Sequence, residues 1–167
     1  VIVVDVDTII NPKTPNLLGL FDGTLTVVRD SGKLDGIISK HMAKSVNNFE
    51  QLFPNEFQLD KSKFFNSGLM CFHRNHENFL KRCKDWVNEH FDKIIDWSNE
   101  NSGVDQVPFN WFVQKNNVSI NFLDSRYNRT QLFKKKLNPY DNYIIHFRGP
   151  KTPQKINKMY QVYHSFL

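Results

Sequence analysis

Asp5 and Asp7 stand one residue apart at the end of an apolar run, Val1-Ile2-Val3-Val4, and apolar residues resume at Ile9. Burying an unpaired carboxylate costs several kcal/mol, so two of them at that point require water, a cation or hydrogen-bond donors. On a regular strand residues i and i+2 point the same way, and in α/β sheets ligands bind just beyond the carboxyl ends of the strands. Two carboxylates in that position share a hard divalent cation, directly or through water, and leave coordination positions for phosphate oxygens. The competing reading is a solvated strand end with a capping Asp. The preceding Val-Ile-Val-Val favours a site, because strand endings in open sheets are where sites collect.

The elements that must position such a pair follow from the pattern of apolar residues. Val1 to Val6 is a continuous β-branched run, expected as a strand covered on both faces and central in an α/β sheet. After a punctuated turn at residues 11–15, a short β-rich stretch spans Thr24 to Val28, and a polar helix is expected from about Lys33 to Phe53, ending before Pro54. Phe64 to Phe72 reads as a second buried strand interrupted by Asn66-Ser67-Gly68. Phe79, Leu80, Cys83, Trp86, Val87, Phe91, Ile94 and Ile95 recur at three- and four-residue spacing, which predicts one helix from about Asn75 to Trp97 with those side chains in the core. Pro108 suits the first turn of another helix. Val118 to Leu123 and Tyr143 to Phe147 are expected strands. A last helix has Thr152 as N-cap and Pro153 at its first position, with Ile156, Met159 and Tyr163 inward.

The chain of 167 residues, 40% hydrophobic, fits a single domain over residues 1–167, with no internal repeat or low-complexity linker. A formal charge of +5 would suit an anionic partner, yet the cations are scattered apart from Lys134 to Lys136, so no nucleic acid is expected. Cys71 and Cys83 have no zinc or disulfide spacing. The triplets at Asn117 and Asn128 match the glycosylation acceptor pattern, one that arises readily by chance in an Asn-rich chain. No run approaches the roughly 20 apolar residues of a membrane span. The compartment stays open between the cytoplasm and, if sequence precedes Val1, the secretory pathway.

Two enzyme classes begin with a strand and D-x-D. Haloacid-dehalogenase-like phosphatases have D-x-D-x-T/V, where this chain has Ile9. A second near-match, Asp22-Gly23-Thr24-Leu25-Thr26, has Leu20 in place of the nucleophilic Asp, and without that carboxylate covalent phosphoryl transfer has no nucleophile. The other class is the metal-dependent glycosyltransferases with a GT-A fold. Phe65-Asn66-Ser67-Gly68-Leu69-Met70 resembles the FNSG or FNAG strand of family-8-like and related nucleotide-sugar transferases, Asp105-Gln106 resembles their DQ step, and His146-Phe147-Arg148-Gly149-Pro150-Lys151-Thr152-Pro153 resembles their terminal H-x-x-G-x-x-K-P or H-G-x-P-K-P element. These pieces occur in the family order across nearly the whole chain.

The resemblance implies an α/β, GT-A-like mixed sheet flanked by helices, in its C-terminal catalytic part. It implies that Asp5, Asp7 and His146 hold Mn²⁺ or Mg²⁺, and that the nucleotide-sugar donor meets Asp5, Val6, Asp7, Asn66 and Ser67. Gly149 would let the chain approach the diphosphate and Lys151 would place a charge on it. Lys151 lies five positions after His146 where the commonest family form has six, so Lys155, one helical turn on, is the alternative. Sugar hydroxyls are read by groups that donate and accept; Asn66 and Asp105 are the expected sugar contacts, with Gln106 near the anomeric centre. Competing readings are a β-bulge for Asn66-Ser67-Gly68, a helix cap for Asp105 and an ordinary strand-ending histidine for His146. Trp97, Trp111 and Tyr127 are candidates to stack on an acceptor sugar, Trp111 being the better candidate for the core.

The expected activity is transfer of a sugar from a nucleotide-diphosphate sugar, with a UDP-sugar the expected donor, to a hydroxyl of a carbohydrate or glycosylated acceptor. Family-8 resemblance implies retention at the anomeric carbon with no obligatory base; inversion would call on Asp105 as base. GT-A enzymes bind the nucleoside with about a hundred residues of βαβ structure upstream of D-x-D, so the chain is expected to be a fragment. Two alternatives stay open: a magnesium-dependent phosphatase of the dehalogenase type, and an inactive transferase-like binding module.

Overall fold

A computed structural model describes residues 1–20, 22–30, 38–130, 138–147 and 153–167. Seven strands and five α-helices are formed among them. The strands are β1 (Ile2–Val4), β2 (Thr8–Ile10), β3 (Leu25–Arg29), β4 (Phe65–Cys71), β5 (Ile120–Leu123), β6 (Arg129–Thr130) and β7 (Ile144–His146). The helices are α1 (Lys40–Glu50), α2 (Glu77–Glu89), α3 (Phe91–Glu100), α4 (Gln106–Lys115) and α5 (Pro153–His164). The strands make two mixed sheets, of order β1-β4-β3-β5 and β2-β7-β6. β1 and β3 run antiparallel to β4, β5 runs parallel to β3, β2 runs antiparallel to β7, and β6 runs parallel to β7.

Strand alternation distributes the core into layers. Leu25 and Val27 of β3 face a large cluster with Phe49, Phe79, Ile94, Trp97 and Trp111 from the helices. Val28, Leu69 and Cys71 face the other way and meet Tyr127 and Ile144, which fills the space between the two sheets. Ile145 and Phe147 look out from the far side of the small sheet onto Val162 and Met159 of α5. Trp86 and Trp111 stack at 5.2 Å between centroids, and Phe49 meets Trp97 edge-on at 5.0 Å. Aromatic pairs of this kind add about 0.5–1.5 kcal/mol to the burial of their area.

Several expectations need correction. The opening strand stops at Val4 and lies at the edge of its sheet, bonded on one side to β4, so Val3 faces outward and the strand is not covered on both faces. The helix expected over 75–97 is two, α2 and α3, broken at His90 (φ −110°, ψ 15°). His90 packs against Phe53 and Trp86, and the change of direction leaves Phe91, Ile95 and Leu80 exposed while Phe79, Cys83 and Ile94 stay buried. In α5 the buried residues are Lys155 and Val162, and Met159 packs inward as expected, while Ile156 and Tyr163 are exposed. Helix α1 starts at Lys40, capped by Ser39, whose hydroxyl accepts from Met42 N–H; its expected start at Lys33 lies outside the described residues. So do the expected N-cap Thr152 and the Lys134 to Lys136 cluster.

Candidate metal and sugar-nucleotide site

Asp5, Val6 and Asp7 form the link that carries the chain from one sheet to the other. Asp5 N–H donates to Gly68 O at 3.1 Å, extending the β1–β4 pairing by one step. The Asp5 carbonyl accepts from the Thr8 hydroxyl at 2.8 Å. Asp7 belongs to the second sheet, its carbonyl accepting from Phe147 N–H at 2.9 Å. The backbones of the two aspartates are therefore held by separate ladders and their carboxylates meet at the seam, while Val6 is 93% exposed between them.

His146 comes to the same seam from β7. It is opposite Thr8 in the β2–β7 register and two residues from Ile144, so it emerges on the face turned toward the large sheet. Its Nε2 lies 3.3 Å from Asp5 Oδ2 and 3.2 Å from Asp7 Oδ1. One ligand atom from each of Asp5, Asp7 and His146 lies within 4.8 Å of the others. Two half-exposed carboxylates and a buried imidazole are a donor set for a divalent cation, and the nitrogen donor modestly favours Mn²⁺ over Mg²⁺. Lys155 arrives from α5, with its side chain buried and its Nζ 2.6 Å from Asp7 Oδ2. Asp7 thus turns one oxygen to the imidazole and the other to an ammonium. Of the two lysines considered for the diphosphate, Lys155 is placed at the cluster; Gly149 and Lys151 lie outside the described residues.

Behind His146 runs a chain of buried amides. His146 Nδ1 is 3.2 Å from Asn128 Oδ1, Asn128 Nδ2 donates to Asn66 Oδ1 at 2.6 Å, and Asn66 Oδ1 also accepts Gly68 N–H at 2.8 Å. Asn66 Nδ2 reaches Gln106 Oε1 at 3.4 Å, and Gln106 Nε2 donates to Asp30 Oδ2 at 2.6 Å. Asn66 and Gln106 are therefore brought into one network with the metal-type cluster, with both ends of the Gln106 amide engaged. The Asn66-Ser67-Gly68 step is a bulge: Val27 pairs with Met70 and the next residue, Val28, with Asn66, so β4 carries extra residues there. Asn66 and the Gly68 N–H belong to the amide network, while Ser67 lines a separate cavity.

Asp105 stands elsewhere. It occupies the N-cap position of α4, but its side chain makes no capping bond. With Ser67 it lines a largely apolar cavity of about 320 Å³, among Met70, Val87, Ile94 and Phe109, a lining that includes none of Asp5, Asp7 or His146. Trp97, Trp111 and Tyr127 are buried, packed on Phe49, Trp86 and Tyr143 respectively, and present no ring to an acceptor. Burial pushes the Cys71 and Cys83 thiols up to about 11, which keeps both protonated and inert as ligands.

Sequence reasoning missed Asn128 and Asp30. Neither has a spacing partner, and Asn128 sits in a glycosylation-type triplet, although its burial and amide bonds leave no acceptor for a glycan. In comparison with known proteins, residues 1–153 match the family model described as Glycosyl transferase family 8. No curated protein matches the chain, and no solved structure does.

Proposed function

This chain belongs to glycosyl transferase family 8, glycosyltransferases of the GT-A fold, and on that premise we propose that it transfers a sugar from a UDP-sugar to an acceptor hydroxyl in a reaction dependent on Mn²⁺ or Mg²⁺. The observation that carries the reading is the convergence of Asp5, Asp7 and His146 within 4.8 Å at the seam of two sheets, with Lys155 2.6 Å from Asp7.

Asp5, Asp7 and His146 hold the cation. A divalent cation there supplies positive charge to the departing diphosphate, the electrostatic stabilisation that is usually the largest single contribution to such catalysis. Lys155 adds a fixed cation beside it, kept in place by α5 packing on the small sheet. Asn66 and Gln106 form the rigid polar wall next to the bulge, and Asp105, at the mouth of the neighbouring cavity, offers a carboxylate to sugar hydroxyls. Retention at the anomeric carbon needs no dedicated protein base, because the leaving phosphate oxygen can take the acceptor proton.

The full-length protein, incubated with UDP-sugars and Mn²⁺, is expected to release UDP, and chelation or His146→Ala is expected to abolish the release. Phosphate release from phosphomonoesters that survives His146→Ala would contradict the reading in favour of a phosphatase.

A further inference from the structure

A histidine can serve a cation only with a bare nitrogen, and which nitrogen is bare depends on what the other one faces. Around His146 the answer follows from groups whose roles are not in question. The Gly68 backbone N–H can only donate, and it points to one end of the Asn66 side chain at 2.8 Å; that end is the oxygen. Asn128 approaches the same oxygen at 2.6 Å and must present its NH₂ to it. The other end of Asn128, now necessarily its oxygen, is the group 3.2 Å from His146 Nδ1. At the far end of the network, Asp30 takes Gln106 Nε2–H at 2.6 Å, leaving Gln106 Oε1 toward Asn66 Nδ2. The two ends of the network thus dictate the same amide orientations.

We infer that Asn128 is a positioning residue that accepts the Nδ1 proton of His146 and so turns Nε2 toward the point between Asp5 and Asp7 where a cation would sit. The opposite tautomer sets the Nδ1 lone pair against the Asn128 oxygen, two acceptors face to face in a buried site, where unsatisfied polar groups are costly. Asn128, His146, Asn66 and Gln106 are all buried, so water does not readily take over the missing proton or acceptor. Asn128 touches no substrate in this account; it acts through the imidazole. The functional consequence rests on the metal reading of the preceding section, but the proton assignment does not.

The test uses nuclear magnetic resonance of the full-length protein carrying isotope-labelled histidine, together with calorimetry for Mn²⁺. In wild-type protein, metal-free and with diamagnetic Mg²⁺, the His146 ring is expected to carry a proton on Nδ1. Asn128→Gln keeps an amide with both an acceptor and a donor end and is expected to keep the Nδ1 proton. Asn128→Leu removes it, shifts the proton to Nε2, and weakens Mn²⁺ binding by about tenfold to a hundredfold. A wild-type ring with no proton on Nδ1 overturns the inference without any variant having to fold. Equal tautomer and equal Mn²⁺ affinity in the Gln and Leu variants overturns it as well. A protein whose ring carries the Nδ1 proton but which binds no Mn²⁺ supports the assignment and contradicts the metal reading, so the two failures are distinguishable.

Discussion

A methyl group on Gly68 would lie 2.5 Å from His146 Nδ1, 2.7 Å from its Cε1 and 2.8 Å from Asn66 Oδ1. The ring is a proposed ligand and the amide fixes its orientation, so neither can yield without loosening the site. Gly68→Ala is expected to lower stability by about 1–3 kcal/mol, the usual cost of overpacking, and to weaken Mn²⁺ binding. Gly19→Ala, where the added carbon meets nothing within 4 Å, is the control; urea unfolding and calorimetry read both, and a Gly68 variant as tight as the control would refute the packing argument. Lys155 tests the same cluster from the other side. Lys155→Met removes the ammonium beside Asp7 and is expected to cost about 1–3 kcal/mol, less than a fully buried pair because the Asp7 side chain is 26% exposed. It is also expected to weaken UDP binding. At this scale Asp5 and Asp7 were legible because charges in an apolar run stand out. Lys155 was legible only as an alternative, since nothing in its helix marks a lysine as the buried residue of its face.

Elements carry these residues to one place, and the most exacting joint is between α4 and β4. Asn110 donates to Phe65 O and to Gln106 O, both at 2.9 Å, and accepts Phe65 N–H at 2.9 Å. One fully buried side chain therefore ties the helix that bears Gln106 to the strand that bears Asn66. Asn110→Leu is expected to cost about 1–3 kcal/mol for each backbone group it leaves orphaned, which a fall in the urea midpoint would show; a midpoint unchanged from wild type would mean that the joint contributes nothing. The strands from Leu25, Phe65 and Ile120 were legible because short runs rich in apolar residues stand between polar segments, the one from Phe65 despite its Asn66-Ser67-Gly68 step. β2 and β6 were not, being only three and two residues long and defined by pairing partners far away in sequence. The α2–α3 break was hidden for a related reason: no Gly or Pro marks it, and tertiary packing of His90 on Phe53 and Trp86 decides it.

At the scale of the molecule, the arrangement is a helix layer, two sheets and a closing helix, with the proposed cation site where the sheets are joined. Because β1 and β2 belong to different sheets, the D-x-D segment is the connection between them, and the backbone of each aspartate is secured by a different ladder. The fold class and the approach of His146 to the aspartates were legible through family order of motifs; the seam was not, since a two-residue-spaced pair reads equally well as the end of one strand. Among the described residues no helix is long and apolar enough to cross a membrane. The account rests on the claim that nucleotide binding runs through a cation held by Asp5, Asp7 and His146. Calorimetric titration of UDP into the full-length protein, with and without Mn²⁺, in wild type, Asp7→Ala and His146→Ala, tests it most directly. The account expects UDP to bind wild type only with Mn²⁺ and both variants to lose that metal-dependent binding; UDP binding that is absent, or that is indifferent to Mn²⁺ and to both substitutions, would contradict it.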